Sequence, residues 1–259
     1  MFLKMKRTNT VLFLQAMANL IRDSKNVNEW CTTDLEAYRI TVEDENLLNF
    51  STSTAINDSV LDFEYGRDNI SDLGAEERRL ISYINLATMS QNKSAINSLS
   101  LKLLEYTNYD KDIRTVYIDH IISFEASSVV TPASLDVCLV ENMYQLLLQE
   151  SNTPEPQVIA KAIAMYQENN RIRTYNGLDE LDIMAIPCIT MMGTFPIFYV
   201  VPVTKNLSLS VIYGTYPDVE TIVSRYIPNV MGSRLEGMRS IENRRLLLGC
   251  FEAFRTIVG

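Results

Sequence analysis

The sequence is poor in the side chains that build zinc sites and histidine-based active sites. Its 259 residues contain one histidine, His120, and four cysteines that are widely scattered along the chain. Zinc sites need cysteines or histidines at close spacing, so a zinc site has no support here. A mechanism that needs two histidines is impossible within one such chain. Scattered cysteines are typical of a reducing compartment, where thiols stay free.

Long apolar runs and an excess of positive charge are missing as well. No stretch reaches the roughly 18 apolar residues of a membrane span, and the polar Gln15 and Asn19 make a signal peptide unexpected. The net charge of −9 at pH 7 disfavours non-specific binding to nucleic acid. A local basic groove stays compatible with that charge. We expect an intracellular protein of the cytosol or nucleus, without a membrane partner.

The hydrophobic pattern predicts an irregular N-terminal part followed by an ordered core. Thr10 can cap a helix that runs to about Ser24, and residues 25–72 could form a small subdomain or an insertion. Helical spacing predicts helices over residues 75–89 and 95–106. We therefore divide the chain into an N-terminal helical and irregular extension, residues 1–94, and an α/β core, residues 95–259.

The predicted order of elements from residue 95 to residue 203 is helix, three strands, helix, two strands. The second and third strands form a hairpin whose loop is predicted at Glu141–Met143. Prolines frame the start of the second helix, which is predicted to end near Glu168. The predicted strands are Arg114–Phe124, Leu135–Val140, Tyr144–Gln149, Ile186–Met192 and Ile197–Val203, and a C-terminal helix is predicted over Ile241–Phe254.

Two carboxylates in the predicted hairpin are candidates for a metal site. With a loop at residues 141–143, Asp136 faces Leu148, and Glu150 lies diagonally across from Asp136 at a backbone distance of ~7–8 Å. Two carboxylates at that distance can hold one Mg²⁺ or Mn²⁺, with waters and a substrate phosphate as the remaining ligands. A two-residue loop would place the acids on opposite faces. The alternative interpretation is two ordinary strand-end acids in water.

The order strand-Asp, hairpin, strand-Glu and helix resembles the core of the PD-(D/E)xK nuclease superfamily. The chain also resembles a group of uncharacterised fungal proteins over roughly residues 99–224. This second resemblance is carried by the segments Leu104–Asn108, Ile113–Thr115, Leu135–Leu139, Leu146–Glu150, Pro154–Ala160, Ala162–Ala164, Ile186–Tyr199 and Pro202–Thr204. The resemblance implies an αβββαβ restriction-endonuclease-like core, in which helices flank a mixed central sheet.

Carried over residue by residue, the resemblance gives roles to two acids and shows one departure. Asp136 matches the acid of the first motif strand, and Glu150 matches the second acid. Asn152 stands where the motif has its lysine. In the superfamily that lysine helps to position the attacking water and stabilises charge in the transition state, and a neutral amide replaces it poorly.

A lysine on the following helix offers a substitute. Gln157 and Lys161 lie one helical turn apart and share a face of the predicted helix. Lys161 could reach the carboxylates in place of the motif lysine, and Gln157 could bind a water. The alternative interpretation is that Lys161 is a solvated helix residue.

Two functional hypotheses follow from these residues. In the first, the protein is a metal-dependent phosphodiesterase that acts on nucleic acid. In the second, a nuclease fold without catalytic activity serves as a binding or regulatory module, with nucleic acid or a protein as its partner. A locally basic C-terminal region is compatible with a phosphate-contact surface or with a solvated helix face. Its arginines are Arg234, Arg239, Arg244, Arg245 and Arg255.

Overall fold

A computed structural model describes residues 23–45, 58–90, 92–234 and 236–258 of the chain. The helix predicted from Thr10 lies outside the described residues for almost all of its length, and residues 23 and 24 are not helical. No helix of the described residues is long and apolar enough to cross a membrane.

Seven strands form one mixed sheet. The strands are β1 (Ile40–Asp44), β2 (Arg114–Ala126), β3 (Val129–Glu141), β4 (Tyr144–Ser151), β5 (Ile183–Met192), β6 (Phe195–Thr204) and β7 (Thr221–Tyr226). Their order across the sheet is β1-β7-β6-β5-β4-β3-β2. The pairs β1–β7 and β4–β5 are parallel, and the remaining pairs are antiparallel.

Helices flank this sheet. They are α1 (Thr32–Ala37), α2 (Asp58–Asp62), α3 (Ala75–Ser90), α4 (Lys93–Tyr106), α5 (Glu155–Tyr175), α6 (Lys205–Tyr213) and α7 (Ile241–Val258). Short 3₁₀ turns occupy Val27–Glu29, Ile70–Asp72 and Gly237–Arg239. The expected α/β class with a mixed sheet and flanking helices is confirmed, and so is the predicted order from α4 to β6. Helix α5 is longer than predicted, because its buried face continues to Asn170.

The segment before residue 46 contributes a strand to the same sheet as the core. Strand β1 pairs with β7 in parallel, with Ile40 opposite Thr221. The single tryptophan, Trp30, is buried, and its ring stacks on Tyr38 at 5.3 Å and meets the ring of Phe124 edge-on. These aromatic contacts join the described part of the N-terminal extension to strand β2.

The C-terminal helix contains a buried arginine that binds backbone carbonyls. The side chain of Arg244 is fully buried, so neither the phosphate-contact nor the solvated interpretation holds for this arginine. Its guanidinium donates to the carbonyls of Val60, Phe63, Met238 and Arg239 at 2.7–3.0 Å. The planar group with five donors suits this arrangement. Arg244 therefore ties helix α7 to the segment around α2.

The hairpin between β3 and β4 turns more tightly than predicted. Glu141 pairs directly with Tyr144, so the loop consists of Asn142 and Met143 alone, and the predicted loop at 141–143 is wrong. Both residues have positive φ angles, 50° and 74°, as a tight hairpin turn of this hand requires. Asparagine tolerates that conformation, whereas methionine does so at a cost.

A bulge in β4 corrects the register that this tight turn would otherwise produce. Val140 pairs with Gln145, but Leu139 pairs with Leu147, so Leu146 is an extra residue without a partner on β3. Without the bulge, Asp136 and Glu150 would lie on opposite faces, as expected for a two-residue loop. The extra residue shifts every later pair by one position. Asp136 therefore lies directly across from Glu150, and the predicted diagonal arrangement is wrong.

The turn gives a first prediction, for the substitution Met143→Gly. Met143 is exposed and adopts a left-handed conformation that only glycine adopts freely. We expect the free energy of unfolding to rise by about 1 kcal/mol, measured by urea denaturation. Met192→Gly is the matched control, because Met192 is also exposed but lies at the end of β5 with ordinary strand geometry. An equal change in both variants would contradict the role of the turn.

Candidate functional site

Two carboxylates bridge β3 and β4 at the point where the ladder of the hairpin ends. The last ladder pair in this direction joins Val137 and Gln149. Beyond it, the Asp136 backbone N–H donates to Glu150 Oε1 at 3.1 Å, and the Ser151 N–H donates to Asp136 Oδ2 at 3.0 Å. Each carboxylate therefore binds the backbone of the opposite strand, and the two side chains are held together.

Both carboxylates are buried. The exposed fraction is 2% for Asp136 and 0% for Glu150, so the interpretation as solvated strand-end acids is wrong. Burial of an ionised carboxylate is costly unless hydrogen bonds and an opposite charge compensate for the lost water. The site must therefore supply cations as well as backbone donors.

Helix α5 supplies the first cation. Lys161 Nζ lies 2.5 Å from Glu150 Oε2, and the Lys161 side chain is 4% exposed. The Thr153 hydroxyl donates to the same carboxylate oxygen at 3.0 Å. The solvated interpretation of Lys161 is therefore wrong. Helix α5 starts at Glu155, after a connection of three residues from the end of β4, and this short connection brings the lysine back over the strand end.

Helix α4 supplies the second cation, which sequence reasoning missed. Lys93 is the first residue of α4, and its Nζ lies 2.7 Å from Asp136 Oδ1. The helix start is fixed by Asn92, whose side chain accepts the Ala95 N–H. The sequence contains a signal for this cap. It contains no signal for the contact between Lys93 and β3, the second strand after α4.

The pKa values of the site reflect burial and mutual charge. Burial raises the pKa of the Glu150 carboxyl, and the charge of Asp136 adds to this effect, while Lys161 opposes it. Burial lowers the pKa of Lys93, but the hydrogen bond and charge of Asp136, with the charges of Glu150 and Asp119, raise it by more. The two acids and two lysines thus form a mutually compensating cluster.

The two thiols near the carboxylates are not expected to act as nucleophiles. Cys138 and Cys188 are buried free cysteines, as expected from the apolar runs that contain them. Burial raises the pKa of both thiols well above the ordinary range, and the charge of Glu150 raises it further. Because the thiolate is the nucleophilic form, neither thiol can serve as a nucleophile near neutral pH.

The structure brings neither the candidate Gln157 nor Asn152, at the position of the motif lysine, to the carboxylates. Asn152 is exposed with a φ angle of 53°, and its N–H donates to the Met191 carbonyl at 2.8 Å. The chain has thus left the strand geometry at the position of the motif lysine. The Gln157 amide donates to the Asn28 carbonyl at 2.8 Å and joins α5 to the first 3₁₀ turn.

Two side chains of the site have the oxygen donors that a hard cation prefers. Throughout residues 23–45, 58–90, 92–234 and 236–258, no group of three or more His, Cys, Asp or Glu side chains is arranged to hold a metal. Mg²⁺ and Mn²⁺, however, can be held by one or two carboxylates, because waters and phosphate oxygens complete their shell. Asp136 and Glu150 have this chemistry and lie side by side.

No protein-family model and no curated protein matches this chain. Functional inference therefore depends on the residues of the site itself.

The two lysines should differ strongly in their contribution to stability. Removing the charge in Lys161→Met leaves Glu150 buried without a cation, so we expect a loss of about 3–5 kcal/mol in the free energy of unfolding. Lys93→Met should cost about 1 kcal/mol or less, because the exposed Lys93 covers the solvent side of the buried Asp136 and water can replace its ammonium there. Urea denaturation measures both values.

The double variant Glu150→Gln/Lys161→Met serves as the control for this prediction. It removes both charges of the buried pair, so it should recover a large part of the loss seen in Lys161→Met. Equal losses for the Lys93 and Lys161 variants would show that the compensation of Glu150 is not the dominant effect.

Proposed function

We propose that this protein is a divalent-metal-dependent phosphodiesterase acting on nucleic acid. Asp136 and Glu150 are its metal ligands, and Lys161 takes the role of the lysine that Asn152 replaces. The observation that carries this proposal is the contact of 2.5 Å between Lys161 Nζ and Glu150 Oε2. This contact supports the proposal because a PD-(D/E)xK nuclease would need an ammonium beside its second acid.

Each residue has a distinct role in the proposed reaction. A bound Mg²⁺ or Mn²⁺ would polarise a phosphoryl oxygen and activate water. Asp136 and Glu150 supply hard oxygen ligands whose positions are fixed by backbone N–H donors on the opposite strands. Lys161 holds a positive charge next to Glu150, where it orients the attacking water and stabilises negative charge that develops on the phosphate. Burial strengthens these electrostatic effects.

The approach to the site is suited to an anionic substrate. Lys93 is the exposed member of the charge cluster, so a phosphate would meet its ammonium and the beginning of α4 first. Helix N-termini attract phosphate through free N–H groups and the helix dipole. Lys93 and this helix end are the positive features that a phosphate would meet in a chain whose net charge of −9 disfavours general nucleic-acid binding.

A second candidate function is a nuclease-fold module without catalysis, which binds a nucleic acid or protein partner. It is favoured by one observation, namely that each acid already has its own lysine: Asp136 pairs with Lys93 and Glu150 pairs with Lys161. A cluster compensated in this way is complete without a metal. The two functions therefore differ in whether a metal ion binds and whether a phosphodiester is cleaved.

Metal binding is the first prediction of this proposal. Mg²⁺ and Mn²⁺ should raise the melting temperature of the wild type but not that of Asp136→Asn/Glu150→Gln, because this double variant keeps the shape and removes the ligand charge. At a metal concentration ten times Kd, the stabilisation should be about 1.4 kcal/mol. Thermal shift over a metal titration measures it. Equal shifts in both proteins would place the metal elsewhere.

Cleavage of nucleic acid is the decisive test. Labelled single- and double-stranded DNA and RNA oligonucleotides should be cut by the wild type with Mn²⁺ or Mg²⁺ and left intact by Asp136→Asn. Lys161→Arg keeps the charge but changes its geometry, so we expect a rate about 10²-fold or more below wild type. Asn152→Lys is the matched control and should leave the rate unchanged, because Asn152 is exposed outside the site.

The outcome decides between the two functions. Metal-dependent cleavage that is lost with Asp136 and reduced in Lys161→Arg supports the phosphodiesterase. A protein that cleaves none of these oligonucleotides under any metal condition overturns it and leaves the binding module. A rate that rises in Asn152→Lys would show that the motif position, rather than Lys161, is where the lysine belongs.

A further inference from the structure

Lys93 differs from the rest of the charge cluster in its exposure. Its side chain is 58% exposed, whereas Asp136, Glu150 and Lys161 are 3%, 0% and 4% exposed. An ion from solvent would therefore reach the carboxylates on the side that Lys93 covers. The exposed stem can change rotamer without disturbing the core, and an ion pair with one exposed member is held weakly.

The carboxylate oxygens also differ in how firmly their partners are held. Asp136 Oδ2 accepts the N–H of Ser151, and Glu150 Oε1 accepts the N–H of Asp136. Glu150 Oε2 binds the buried Lys161 and the hydroxyl of Thr153. These partners are fixed within the fold. Asp136 Oδ1 instead binds the ammonium of Lys93 at 2.7 Å, and this partner can move into solvent.

The position of the Lys93 ammonium favours positive charge. Asp136 is its ion-pair partner, and the charges of Glu150 and of the exposed Asp119 also act on Lys93. Asp119 lies on β2 between Ile118, which pairs with Val137, and the next residue, which pairs with Leu135. By this count it lies opposite Asp136, at a position where its own φ angle of 53° interrupts the ladder. A dication paired with Asp136 at this position would be attracted more strongly by these negative charges than a single ammonium is.

We infer that Lys93 is a built-in competitor of the metal: its ammonium occupies the cation position at Asp136 Oδ1 and must swing into solvent before Mg²⁺ or Mn²⁺ can bind. This inference rests on the proposed metal site and adds its regulation. Without metal, Lys93 keeps Asp136 paired and the cluster stable. Metal affinity is thereby lower than the two acids alone would give, because binding includes the release of the lysine.

The test is Mn²⁺ affinity, measured on the whole protein by the electron paramagnetic resonance signal of free Mn²⁺. Lys93→Gln removes the competing charge and should bind Mn²⁺ about fivefold more tightly than the wild type. Lys93→Arg keeps the charge and should show no gain. Lys205→Gln is the matched control, because Lys205 is similarly exposed at 47% and is paired with Glu180 instead.

Amine labelling gives a second measurement that is independent of any variant. Lys93 should react faster with an acetylating reagent once Mn²⁺ has released it from Asp136, as followed by mass spectrometry, whereas Lys205 should not change. Slower or unchanged labelling of Lys93 at saturating Mn²⁺ would overturn the inference, since the lysine would then stay in place.

The outcomes separate this inference from the proposed function. Equal Mn²⁺ affinity in the wild type and Lys93→Gln overturns competition by Lys93 and leaves the metal site intact. If Lys93→Gln binds Mn²⁺ more tightly but the wild type cleaves no oligonucleotide, competition by Lys93 is supported and the phosphodiesterase is overturned. Absence of Mn²⁺ binding in all variants overturns both.

Discussion

The fully buried carboxylate of Glu150 is the constraint on which the rest of the site depends. A carboxylate with no exposed surface needs compensation for its lost hydration. The fold supplies it from three directions: Lys161 on α5, the Thr153 hydroxyl before that helix, and the Asp136 N–H on β3. The start of α5 and the end of the β3–β4 ladder are therefore tied to one side chain. This coupling explains why the charges meet at the strand end.

The order of elements could be predicted from the sequence, whereas the register of the hairpin could not. Periodicity and prolines determine where helices and strands begin, and these signals are local. Register depends on a two-residue turn at Asn142 and Met143 together with the extra residue Leu146 in β4. The turn alone or the extra residue alone would put Glu150 on the opposite face of the sheet from Asp136. Together they return it to the same face. A sequence pattern cannot show this cancellation, because Asn142 is compatible with a loop of two or of three residues and Leu146 is an ordinary strand residue.

The side-chain partners show the same division between local and long-range information. Helical spacing placed Lys161 on α5, but only the packing of α5 decides that it is buried against Glu150. Lys93 begins another helix, and its contact with Asp136 is purely tertiary. The basic C-terminal region likewise gave no sign that Arg244 is buried among backbone carbonyls. Local patterns thus nominate charged residues, and packing assigns their partners.

Stability alone is a poor explanation for this cluster. Buried ion pairs contribute little net stability, and well-packed apolar side chains of similar size often serve equally well or better. The site nevertheless holds two acids at a strand end, one fixed lysine and one exposed lysine. The asymmetry between Lys161 and Lys93 leaves Asp136 covered on one side only by an exposed side chain. It is what the proposed metal site would need, since the fixed charge of Lys161 could then act on a substrate while the exposed Lys93 could leave Asp136.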